Sequence, residues 1–97
     1  MNYEYYVADE TPTIATVRFE EGGAVHIRSV SAVFTDGEMD VDATEKRIEE
    51  VGRGVSVKIE LGVIDGKVSE DEDEMFYKIK ADPSISRMPD PPESEDA

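Results

Sequence analysis

Apolar and polar residues alternate along much of the first 34 positions, with the period of two that marks half-buried β-strands. "YEYYVA", 3–8, is aromatic and β-branched and predicts a first strand. In "TIATVRFEE", 13–21, Ala15, Val17 and Phe19 share one face, while Thr16, Arg18 and Glu20 share the other. Gly22-Gly23 supplies the positive φ angles of a two-residue hairpin. The return strand is "AVHIRSVSAVF", 24–34. Its apolar phase slips by one residue near Ser29, so a bulge is expected there to keep both halves on the core side.

The period then changes. Val41, Thr44, Ile48 and Val51 form one helical stripe. Asp42 is the expected N-cap, with Glu45 completing a capping box, and Gly52 or Gly54 is the expected end. "VSVKIELGVI", 55–64, returns to alternation and predicts a fourth strand, with Asp65-Gly66 as a hairpin turn behind it. "MFYKIK", 75–80, predicts the fifth strand, with Met75, Tyr77 and Ile79 on one face. Between these two strands the five acids Glu70 to Glu74 stand in an unbroken row, read here as a solvated interruption of the last hairpin.

The predicted architecture is α+β: a small, mostly antiparallel sheet in the order β-β-β-α-β-β, with one helix packed on one face. Residues 1–81 are expected to form a single domain. Residues 82–97, rich in proline and acid, are expected to form a disordered tail.

Charge changes this picture from a fold to a range of functions. The chain carries 24 acids against 10 bases, a net charge of −14. That balance argues against direct contact with nucleic acid or an anionic membrane, both of which need a basic footprint. It favours a basic protein surface or a cation as partner. With no cysteine, disulfides, thiolate metal sites and a cysteine nucleophile are all absent. No apolar run is long enough for a signal peptide core or a membrane span. The expectation is a soluble protein of the cytoplasm, in a cell or an infected host cell, or of a virion.

Candidate chemistry is sparse. His26 is the single histidine and lies in a strand out of phase with Val25 and Ile27. No G-x-S-x-G stretch and no glycine-rich phosphate loop occurs, so no catalytic residue and no cofactor is assigned. Asp36, Glu38, Asp40 and Asp42 alternate as oxygen donors could, but they lack the glycine and glutamate spacing of a calcium loop. No metal ligand is assigned, and a divalent-cation-binding domain ranks third among the functions.

The acid row is the better candidate. DNA presents regularly spaced negative charge to its binders, and a small scaffold with carboxylates on one face can occupy the same basic cleft. Glu70, Asp71, Glu72, Asp73 and Glu74, with Glu4, Glu20 and Glu60 from neighbouring strands, could form such a face. Tyr6 and Phe76, each out of phase with its apolar neighbours, are the expected aromatic anchors. The leading reading is a non-enzymatic acidic binding or inhibitor module. It would dock on the basic surface of a nuclease, polymerase or similar protein, as small viral nucleic-acid mimics do. The alternative is a structural or assembly accessory, such as a virion component, packing through strand edges. A monomer or small homo-oligomer fits either.

Overall fold

The computed structural model describes residues 1–63 and 68–82. The fold is α+β, as the patterning predicts. β1 (Asn2–Tyr6), β2 (Ile14–Glu21) and β3 (Ala24–Ser31) form an antiparallel sheet in the order β1-β2-β3. Glu21 pairs with Ala24 across the two-residue turn, and Gly22 and Gly23 have φ of 58° and 85°. Both central residues of this turn need positive φ, which glycine adopts without steric cost. β4 (Phe34–Thr35) and β5 (Glu38–Met39) make a second, smaller hairpin. It turns through Asp36-Gly37, again with both φ positive.

Two expectations about β3 and the first helix are corrected. The β2–β3 register runs without interruption from Ile14↔Ser31 to Glu21↔Ala24, so there is no bulge at Ser29. The slipped phase has another cause: the sheet is covered on both faces. Val30 pairs with Ala15 on one face, while Ile27 pairs with Arg18 and Val25 with Glu20 on the other. The first helix is also longer than expected. α1 (Val41–Glu60) is capped by Asp40, whose Oδ1 accepts the Ala43 amide at 3.0 Å, in place of Asp42.

Over residues 55–63 the predicted strand is instead the last six residues of α1 and its C-terminal cap, and Ile64 lies outside the described residues. The helical stripe Thr44, Ile48, Val51 continues through Val55 and Ile59 onto the sheet. The other members of the apparent alternation, Val57, Leu61 and Val63, point outward. Gly62 ends the helix at φ 75°. Its amide donates to the Ile59 carbonyl, and the Val63 amide donates to that of Lys58. These are the two hydrogen bonds of a Schellman cap.

The main core lies between α1 and one sheet face. Tyr5, Val7, Ala15, Val17, Phe19 and Val30 from the sheet side meet Ile48 and Val55 of α1. Full burial of each valine, isoleucine or phenylalanine among these contributes about 1.5–3 kcal/mol. Gly52 lets the layers approach: a Cβ there would stand 3.0 Å from Cε1 of Phe19. Thr44 is fully buried, and its Oγ1 accepts the Val33 amide at 2.9 Å.

The predicted fifth strand is also a helix. α2 (Glu70–Ala81) includes the whole acid row and all of "MFYKIK". It lies on the opposite sheet face, so two helices flank the sheet rather than one. The Asp65-Gly66 turn and residues 83–97 of the expected tail lie outside the described residues.

Candidate partner-binding site

The acid row forms a helix because the chain around it satisfies a helix start. Ser69 is the N-cap, and its Oγ accepts the Glu72 amide at 3.2 Å. Glu72 Oε1 in turn accepts the Ser69 amide at 3.1 Å, which closes a capping box. Glu70, Asp71, Glu72 and Asp73 occupy the first turn and Lys78 and Lys80 the last. Both placements complement the helix dipole. The row is therefore an ordered helical turn and not an interruption within a strand.

α2 is held to the sheet by one aromatic contact and a polar frame. Phe76 is 2% exposed and packs on Tyr6, itself 7% exposed, with ring centroids 5.2 Å apart. Tyr6 is the tyrosine that alternation placed outside the core, and α2 is what covers it. Around this contact, Arg18 Nε donates to Asp73 Oδ1 at 2.6 Å and Nη2 to Oδ2 at 3.2 Å. Arg18 Nη1 also donates to Glu20 Oε1 at 3.2 Å. The Arg18 guanidinium lies 5.3 Å from the centre of the Tyr77 ring, within cation–π range. On Glu4 converge the Tyr77 hydroxyl at 2.8 Å and Lys80 Nζ at 2.7 Å.

The ionisation of this frame follows from its contacts. The Arg18 hydrogen bonds hold the Asp73 carboxyl below the usual carboxylate range. Burial pushes Glu4 upward, but hydrogen bonds from Lys80 and Tyr77, with the charges of Lys80 and Arg18, outweigh it and leave Glu4 lowered. The Tyr77 phenol is raised, by burial first and then by its bond to Glu4.

The residues expected to meet a partner thus separate into groups. Tyr6 and Phe76 are buried against each other, so neither is an exposed anchor. Asp73 and Glu4 are engaged within the molecule, and Glu72 is tied to Ser69. Glu70, Asp71 and Glu74 are exposed on the first turns of α2. Glu20 lies on the same sheet face and is partly tied to Arg18. Glu60 is exposed, but it belongs to α1 in the other layer and is not brought to this face.

Beside the acids lies a groove of about 500 Å³ between α2 and the β2–β3 hairpin. Its lining combines the apolar side chains of Tyr6, Ile27, Met75 and Phe76 with Thr16 and the acids Asp71 and Glu72. Met75 is 55% exposed, an apolar side chain left open to solvent. Sequence reasoning had missed Ile27, Met75 and the clamp residue Arg18. The overlooked signal was Ser69-x-x-Glu72, a capping-box spacing directly before the apolar segment.

The other candidates resolve into structural roles. Asp36 is a turn residue and Asp40 the α1 cap. Among the described residues no group of three or more His, Asp or Glu is arranged to hold a metal ion. His26 sits in β3 opposite Phe19. No described helix is long and apolar enough to cross a membrane. No protein-family profile matches the chain, and neither a curated protein nor a solved structure matches it.

Proposed function

We propose that this protein is a non-enzymatic acidic binding module that docks on a basic protein surface. The observation that carries the reading is the presentation of the acid row. Glu70, Asp71 and Glu74 project from a capped helix clamped to the sheet by Arg18, beside an exposed apolar side chain. Carboxylates on a fixed scaffold cost less ordering entropy on binding than the same charges on a loose loop. Charge steers the encounter, and nearby apolar area adds contact energy. A partner surface evolved for nucleic acid, such as that of a nuclease or polymerase, has the matching sign.

The test is binding to a panel of basic nucleases and polymerases at low and high salt, with the E70Q/D71N/E74Q variant alongside. These three acids are free of the capping box and the Arg18 clamp, so the variant keeps the fold. Binding that weakens steeply with salt and is lost in the variant, with the melting temperature lowered no further than the loss of two first-turn acids accounts for, supports the reading. Binding indifferent to both salt and the variant removes its basis.

An assembly role through strand edges is the competing reading, favoured by the position of β1 at the edge of the three-stranded sheet. Light scattering on the isolated protein separates the two: a stable symmetric oligomer supports assembly.

A further inference from the structure

We infer that the groove between α2 and the β2–β3 hairpin receives a short cationic peptide segment carrying one large apolar side chain. This rests on the binding reading above and specifies its contact. The groove, at about 500 Å³, lies within the roughly 300–1,000 Å³ of ligand-sized clefts. Its lining is apolar through Tyr6, Ile27, Met75 and Phe76, so an apolar group is what it can desolvate. Its rim is acidic through Asp71 and Glu72, with Glu70 and Glu74 on the adjoining turn.

Charge complementarity selects among occupants. A second copy brings a net charge of −14 to an acidic rim. The chain's own residues 83–97 carry Asp90, Glu93, Glu95 and Asp96 against Arg87 alone, and so also bring the wrong sign. A neutral apolar ligand would offer no countercharge to Asp71, the groove carboxylate outside the capping box. A segment with lysine or arginine on both sides of a leucine- or phenylalanine-sized residue satisfies lining and rim together. Met75 suits this role, because its unbranched thioether adapts to the shape of an incoming side chain.

The experiment titrates the full chain with two lysine-rich peptides that differ only at a central leucine or serine. Methyl NMR signals of Met75 and Ile27 are followed throughout. The leucine peptide is expected to bind about tenfold more tightly than the serine peptide and to shift both methyls. The M75Q variant, altered at an exposed helix position, is expected to erase that preference by weakening the leucine peptide towards the affinity of the serine peptide. Equal affinity of the two peptides for the native protein overturns the groove assignment but leaves the charge-based reading standing. No binding of either peptide at low salt overturns both. Methyl shifts that depend on protein concentration alone would assign the groove to a second copy and overturn the proposal. Shifts absent from Met75 and Ile27 during leucine-peptide binding would do the same by placing the contact elsewhere.

Discussion

Arg18 in β2 grips Asp73, the fourth acid of the row, through two hydrogen bonds across 55 positions of sequence. The same guanidinium reaches Glu20 and the Tyr77 ring. One strand residue thus fixes the orientation of the helix that displays the remaining acids. D73N is expected to cost about 1 kcal/mol, the value of a charge-assisted bond discounted for partial exposure. R18Q should cost more, because it releases three contacts at once. Phe76 lies outside the main core cluster. F76A is therefore expected to free α2 while leaving α1 and the sheet formed. Amide hydrogen exchange would check both points: faster exchange in 70–81 with 41–60 still protected is the expected pattern.

The polar frame also predicts how stability varies with pH. Glu4 and Asp73 titrate lower in the folded protein than in the unfolded chain, where carboxyls sit near about 4. Their contribution is therefore fully present above that value and is lost as pH falls through it to the lower folded values. The phenols act with the opposite sign. Burial and the bond to Glu45, at 2.9 Å, push Tyr5 well up, and Tyr77 is raised as well. Their contribution is complete below the unfolded phenol value of about 10 and is lost as pH rises beyond it. Melting temperature against pH should fall on both sides. An E4Q/D73N variant should flatten the acid limb and, because Glu4 and Asp73 also help raise Tyr77, soften the alkaline limb in part, leaving the Tyr5 contribution in place.

Two helix glycines should respond to alanine in opposite directions. At Gly54 nothing lies within 4 Å of an added Cβ, so G54A should gain about 0.5–1 kcal/mol of helix propensity. At Gly52 the Cβ would meet Phe19 at 3.0 and 3.3 Å, and that ring is fully enclosed. Overpacking of about 1–3 kcal/mol then exceeds the propensity gain, and G52A should lower stability. Urea midpoints for the two variants check the sign of each.

Thr44 is the polar residue inside the core, and its hydroxyl oxygen serves the Val33 amide. T44V keeps the shape but leaves that amide without an acceptor, at an expected cost of about 1–3 kcal/mol. T44S keeps the acceptor and loses a buried methyl, at about 1 kcal/mol. A larger loss for valine than for serine in thermal unfolding would show that the hydrogen bond outweighs the methyl.

The parts legible in the sequence were those in which local pattern and fold agree. β1, β2, β3 and the Gly22-Gly23 turn follow from alternation and glycine geometry alone. The two misassigned strands share one cause, which is alternation read as strand where long-range packing decided otherwise. In 55–64, Val55 and Ile59 lie four apart and continue the α1 stripe, while Val57 and Leu61, also four apart, form the opposite, exposed face. A helix populated by β-branched residues gives the same one-letter pattern as a strand over so short a window. Gly52 looked like a terminator because its role, admitting the Phe19 ring, is visible only with the sheet in place. Tyr6 and Phe76 looked like exposed anchors for a related reason. Each was judged against a sheet with one covered face, and the second cover is α2 itself.

The sequence by itself determined an α+β chain of high negative charge, with a three-stranded antiparallel start, an amphipathic helix and no cysteine chemistry. These follow from residue type and short-range spacing, which act before any long-range contact forms. The Ser69-x-x-Glu72 spacing signals the helix start locally; only the tertiary structure decided which face of α2 is covered, that Asp73 is spent on Arg18 and Glu4 on Lys80 and Tyr77, and which acids remain available. Those outcomes depend on groups far apart in sequence. Burial against a second sheet face and a guanidinium in β2 hold against the sheet the helix that the capping box starts, and no short-range pattern contains either contact.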